Sequence, residues 1–228
     1  MQHLSYQIDE KNNRFGFYEN LWKRNGLALL SKHCPPRGKT LLDYGSGRGE
    51  CLDYASQAGF KVQGTDTDPE CVRLSSRYGT ACLLNPQNPL EQFGPKSYDV
   101  VTCFHVLEHV ENPKETLTAL AKICREYVVI AVPNLRYLHR TFRRTIDLTE
   151  CNEGHLQSWD HWHFLNLAER HCGLKLVEWG TDATVLPFLS NFSQKLLGTR
   201  ITIALETGLF RKLFPYHGAS VLGLFSPT

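Results

Sequence analysis

The sequence predicts an α/β fold, a Rossmann-like, doubly wound, seven-stranded and mostly parallel sheet. Three observations carry this expectation. Short apolar runs alternate with helical patterns, a glycine-rich turn follows the first run, and an acid closes the second. Such alternation places helices on both faces of a parallel sheet, so its strands read as continuous apolar runs.

The first strand reads as "TLLDYG" (40–45) and the second as "KVQGTD" (61–66). "ACLL" (81–84), "YDVVTCF" (98–104) and "YVVIAVP" (127–133) follow, each bounded by Gly, Pro, Asp or Asn. "LKLVEWGT" (174–181) and "ASVLGLFS" (219–226) bring the number to seven. Helices are expected over 50–58, behind the glycines, over 69–78, where Asp68 precedes Pro69, and over 113–125, where Asn112 precedes Pro113. Another is expected from 161 to about 172, capped by Asp160 and stopped by Gly173. The stretch "RFGFYENLWKRNGLALL" (14–30) is aromatic and then helical, and suits a helical cover over about residues 1–37. Residues 183–218 are long and amphipathic, a cap-like insert in a single domain spanning 1–228.

A chain of 228 residues can bury a substantial core. Its formal charge of +2 is too small to argue for a polyanionic partner, so nucleic acid is not the expected ligand, although "LRYLHRTFRR" mixes basic and aromatic residues. The 8 cysteines include no CxxC pair and the opening residues are polar, which suits a reduced, cytoplasmic protein. No apolar run is long enough to span a bilayer. A homodimer is compatible with the insert, which also reads as a substrate lid or a membrane-surface element.

"LLDYGSGRGE" carries the chemistry. Its strand runs into Asp43 and then Gly45, Gly47 and Gly49, so the backbone can turn sharply and approach a ligand closely. A dinucleotide fingerprint would read GxGxxG, whereas here the third glycine comes one residue early. Asp66, closing the second strand, is placed to take a bidentate bond from a ribose diol, or else to cap the next helix.

The D-x-G-x-G-x-G form resembles motif I of class I S-adenosylmethionine (SAM)-dependent methyltransferases. "SYDVVTCFHVLEHVENP" resembles the fourth-strand region of that family, and "EGHLQSWDHWHFLNLAERHCGLKLVEW" its late segment. The resemblance covers about residues 38–182 and points to the type 11/type 23 group, including MetW-like proteins. It implies SAM as cofactor, with Asp43 meeting the cationic methionine end and Asp66 the ribose. The implied cofactor set is Asp43, Gly45, Ser46, Gly47, Gly49, Asp66, Thr67, Asn85 and Phe104, with Tyr18 in reach from the N-terminal cover. Asn85 stands where many relatives carry Gly-Asp near the adenine.

His105, Glu108 and His109 fall at i, i+3 and i+4, and share one face if the stretch is helical. Three readings stand beside one another. The stretch is a structural connection, with Leu107 and Val110 packing inward. One of His105, His109 and His155 is a general base or orients the acceptor. Alternatively, His105, Glu108, His109 and His155 hold a divalent metal, since H-x-x-E-H resembles the E-x-x-E-H motif of metal-dependent quinone O-methyltransferases and small-RNA 3′-end methyltransferases. His161 and His163 are further ligand candidates. The expected function is O-methylation of a small-molecule, sugar or lipid-linked acceptor. The alternatives are metal-assisted methylation of a catechol-like or ribose diol, and a MetW-like accessory protein without turnover.

Overall fold

The computed structural model describes residues 18, 20–138 and 152–228. Its sheet has 7 strands in the order β3-β2-β1-β4-β5-β7-β6. These are β1 (Thr40–Tyr44), β2 (Lys61–Asp66), β3 (Thr80–Leu83), β4 (Tyr98–Phe104), β5 (Cys124–Pro133), β6 (Leu174–Thr181) and β7 (Ser220–Pro227). Only β7 runs against its neighbours, lying antiparallel to both β5 and β6. The order reverses between β1 and β4, and ligands of doubly wound sheets lie beyond the strand ends at such a switch point.

Both faces are covered. On one, α1 (Leu21–Ser31) and α2 (Glu50–Ala58) bring Leu30, Cys51 and Ala55 onto Leu41, Val100 and Val129. On the other, α5 (Pro113–Ile123) and α6 (His161–His171) bring Leu117, Leu120, Phe164 and Ala168 onto Leu42, Val101 and Ile130. Two shorter helices, α3 (Pro69–Ser75) and α4 (Pro89–Phe93), flank β3. Adjacent Leu41 and Leu42 point to opposite faces and both are fully buried, each burial contributing about 1.5–3 kcal/mol. Strand β4 is buried from Val100 through Phe104, which is why it reads as an unbroken apolar run.

The helix starts follow side-chain chemistry. Asp68 accepts the Glu70 N–H at 2.8 Å, Asn112 the Glu115 N–H at 3.2 Å, and Asp160 the His163 N–H at 2.9 Å. Two boundaries differ from expectation. Helix α3 ends at Ser75, not 78, and β5 begins directly behind α5 at Cys124, not 127. Arg125 makes the polar strand start affordable, donating to Asp99 Oδ1 at 2.8 Å and to the Ser97 carbonyl at 3.0 Å. The insert holds α7 (Pro187–Leu197), α8 (Thr199–Ala204), a π-helical turn (Leu205–Leu209) and α9 (Phe210–Leu213). Most of "LRYLHRTFRR", and the first part of the N-terminal cover, lie outside the described residues.

Candidate active site

The glycine loop leaves β1 with positive φ at Gly45, Gly47 and Gly49 (79°, 53° and 94°). The Gly45 and Ser46 N–H groups both donate to the Thr65 carbonyl at 2.9 Å, pinning the loop to β2. A Cβ on Gly47 would meet nothing within 4 Å, so this glycine borders open space. Asp66 sits beside it. Its Oδ2 accepts the Gly47 N–H at 2.8 Å and its Oδ1 the Asp68 N–H at 3.0 Å. Each oxygen retains acceptor capacity for a ribose hydroxyl.

Several cofactor candidates turn away from that space. The Ser46 side chain is buried, with its hydroxyl 3.2 Å from that of Ser75. The Phe104 ring belongs to the core beneath α1. Thr67 and Asn85 are exposed. The Asn85 Oδ1 accepts the Gln87 N–H at 3.2 Å, closing a turn of the kind Asn favours. Tyr18 donates its hydroxyl to the Glu206 carboxylate, so it ties the N-terminal cover to the insert.

Asp43 lies under the loop, 2% exposed, with its Oδ1 accepting the Thr102 hydroxyl at 2.6 Å. Burial pushes its carboxyl up to about 6, against the opposing pull of the Thr102 bond and the Lys23 charge. A raised carboxyl pKa means the fold holds the proton more tightly than the unfolded chain does. That stabilisation is complete below the unfolded value of about 3.8 and is lost as pH rises through about 6, a cost of about 3 kcal/mol. Asp43→Asn should therefore raise the Tm of the ligand-free protein at neutral pH by several degrees, flatten its stability between about pH 4 and 7, and weaken SAM binding. Differential scanning fluorimetry across that range, with calorimetry for SAM, checks all three.

The histidine cluster does not form a helical face. His105 is left-handed (φ 54°), and only Leu107–His109 form a short 3₁₀ turn. The shared i, i+3, i+4 face of a helix is thereby replaced by a fan around Glu108. Glu108 is fully buried, and neither carboxylate oxygen has a hydrogen-bond partner among the described residues. His105 Nδ1 lies 3.3 Å from its Oε1. Ligand atoms of Glu108, His109 and His155 lie within 4.8 Å of one another.

One backbone and one side-chain contact bring this distant pair of segments together. The Leu156 N–H donates to the Glu108 carbonyl at 2.7 Å, and the Gln157 amide donates to the Val110 carbonyl at 3.1 Å. His109 Nδ1 donates to the Gly154 carbonyl at 2.9 Å, which leaves Nε2 with its lone pair. A Cβ on Gly154 would stand 2.8 Å from that same Nδ1, so the close approach requires glycine. A buried carboxylate without a hydrogen-bond partner, beside an imidazole whose Nδ1 is already used, fits a divalent cation chemically.

His105 belongs to a second set that the sequence did not reveal. Ser220, the first residue of β7, donates its hydroxyl to Asp182 Oδ2 at 2.8 Å and its N–H to Asp182 Oδ1 at 3.0 Å. The Ser220 oxygen then accepts from His105 Nε2 at 2.9 Å. This tautomer leaves Nδ1 as the basic atom. Burial raises the Asp182 carboxyl, against the two Ser220 bonds and the nearby His105. The Trp22 ring covers the imidazole at a centroid distance of 4.5 Å.

His161 and His163 stand apart. His163 Nδ1 bonds the capping Asp160 at 2.8 Å on the surface. His161 is buried against Trp179 and Tyr216, with ring centroids 5.2 and 5.4 Å away, and burial pushes its pKa down to about 4. It is neutral at physiological pH. Asn134, at the end of β5, donates to the carbonyls of Tyr216 (3.0 Å) and Gly218 (2.7 Å) and so ties the root of the insert to the sheet.

The strand order, the glycine loop and Asp66 define a class I SAM-dependent methyltransferase, with SAM as its cofactor. The chain belongs to the type 23 methyltransferase-domain family, which matches residues 13–177. It is 30% identical over 123 residues to a ubiquinone biosynthesis O-methyltransferase of Albidiferax ferrireducens, covering 48% of this chain and 47% of that one. The chain thus spans about half the length of the curated relatives it matches. Its fold is similar to that of the Synechocystis magnesium protoporphyrin IX methyltransferase solved with SAH (TM-score 0.63, 16% identity, 97% and 90% of the two chains). A SAM-dependent methyltransferase from Mesorhizobium loti is also similar (TM-score 0.57, 15% identity, 87% and 95%). Among the described residues, no helix is long and apolar enough to cross a membrane.

Proposed function

We propose that this enzyme methylates a hydroxyl oxygen of a small-molecule acceptor, with His105 as the general base. The observation that carries this reading is the Asp182–Ser220–His105 chain, set at the carboxyl end of β4 beside the loop that binds SAM. The transferred methyl leaves a sulfonium, the C–S bond breaks, and the cofactor becomes a neutral thioether. The acceptor oxygen forms the new C–O bond and gives its proton to His105 Nδ1. Glu108, 3.3 Å away, meets the imidazolium that forms. Trp22 covers one side of the imidazole. O-methylation is also what the printed names of the ubiquinone relatives describe.

A second reading is metal-assisted methylation of a vicinal diol, favoured by the unpartnered Glu108 carboxylate within 4.8 Å of His109 and His155. Glu108, His109 and His155 would hold the ion, which would supply Lewis acidity to an acceptor hydroxyl. Turnover of hydroxylated aromatic and diol acceptors, with and without EDTA, separates the two. The base reading expects the EDTA-treated enzyme to keep its rate within about twofold, since the proton goes to His105. Loss of activity restored by one added divalent metal assigns the second mechanism. No methylated product from any hydroxyl acceptor, with amines methylated instead, would reject both.

A further inference from the structure

Helix α7 is built inside out. Leu189, Phe192 and Leu196 are 55%, 65% and 67% exposed, while Ser190 and Ser193 are buried. With about 100° per residue, Leu189, Phe192 and Leu196 fall within an arc of about 60°, centred about 100° round the helix from the midpoint of the two serines. The buried serines are satisfied within the insert. Ser190 Oγ accepts the Leu186 N–H at 3.1 Å, and Ser193 Oγ lies 2.9 Å from the Thr202 hydroxyl. Helices of water-exposed domains place their large apolar stripe inward and their polar side chains outward. Here two serines are committed to the protein while the large apolar side chains face out, beside the exposed Asn191, Gln194 and Lys195. Ile201, Leu209 and Leu213 in the following turns are 48%, 51% and 62% exposed, which extends the apolar character through the insert.

The charges select what covers that face. Residues 183–218 carry Lys195, Arg200, Arg211 and Lys212, and their sole acid, Glu206, is buried and bonded to Tyr18. The accessible charge of the insert is therefore uniformly positive. A second copy meeting this face across a two-fold axis would set these cations against their own kind. The first 17 residues are no better suited, because they contain no two consecutive apolar residues. We infer that the outer face of α7, with the cations around it, seats on an anionic lipid bilayer. Apolar side chains enter the acyl boundary and lysine and arginine meet the head groups, as in interfacial helices. The insert springs from the carboxyl end of β6 and the start of β7, beside Asp182 and Ser220. Seating there would put the acceptor side of the sheet next to the lipid.

The test is vesicle co-sedimentation of the full chain. Vesicles with about one third phosphatidylglycerol in phosphatidylcholine should bind it at least about tenfold more strongly than phosphatidylcholine alone, and raised salt should reduce that advantage. The L189S/F192S/L196S variant should lose binding while keeping its affinity for SAM, which reports on the fold. A K195E/R211E/K212E variant should lose the preference for phosphatidylglycerol. Wild-type protein that ignores both vesicle types would overturn the inference. So would equal binding to neutral and anionic vesicles, or a homodimer by light scattering that the serine variant converts to monomer.

Discussion

Asp66→Ala is expected to raise the Kd for SAM by about 10²-fold or more, read by calorimetry. The carboxylate has two tasks. It accepts the Gly47 N–H at 2.8 Å and the Asp68 N–H at 3.0 Å, so it holds the open glycine and the start of α3 in place before any ligand arrives. It would also take the ribose diol, as acids at the end of a second strand do in doubly wound folds. Hydrogen bonds to a charged group are worth about 1.5–3 kcal/mol each, so losing a pair accounts for the factor of 10². Asp66→Asn separates the tasks. Its Oδ1 can keep one backbone bond, while its NH₂ group cannot accept from a ribose hydroxyl. Its affinity should fall by about tenfold, with the Tm lowered by a few degrees for the one backbone bond that is lost. A variant that binds SAM as the wild type does would move the ribose elsewhere.

The parts of the fold that were legible in sequence are those where local pattern and tertiary demand agree. Val100–Phe104 is buried on both faces, and its apolar run shows it. Asp68, Asn112 and Asp160 cap helices because short polar side chains reach backbone N–H groups, and each precedes a proline or an apolar helix face. The glycine turn behind β1 and the acid that closes β2 were likewise readable. The local geometry of "CFHVLEHVEN" was not. Helical spacing suggested one face, but His105 turns left-handed and the residues fan out around Glu108. Asp182 and Ser220 were invisible for a different reason. They meet only because β7 folds back antiparallel between β5 and β6, and nothing local in either stretch announces that pairing. The one usable signal was positional, because Asp182 follows β6 as Asp66 closes β2. The inverted polarity of α7 was likewise hidden, because an amphipathic pattern does not say which side faces in.

His105→Ala is expected to lower kcat by about 10²–10⁴-fold, the range that general bases supply, with the Kd for SAM changed by less than about threefold. In the proposed reading the imidazole borders the reacting region. Its bonds run to Ser220 Oγ and towards Glu108. A purely structural His105 predicts something else, since Trp22 packs on it with ring centroids 4.5 Å apart and removing the ring would loosen α1. A loss of Tm in proportion to the loss of rate would identify that role. Asp182→Asn provides the independent check. It leaves the core volume unchanged, but its NH₂ group can turn towards Ser220 and reverse the donor order along the chain. Ser220 would then direct its O–H at His105 Nε2 and favour the Nδ1–H tautomer, which leaves Nδ1 no lone pair to take the acceptor's proton. This variant should keep its affinity for SAM and lose kcat by about 10-fold or more. If His105→Ala is slow and Asp182→Asn is not, His105 acts without the relay. If neither variant is slow but His109→Ala and His155→Ala abolish turnover, the hydroxyl is activated at Glu108, and the metal-assisted reading takes the place of the base.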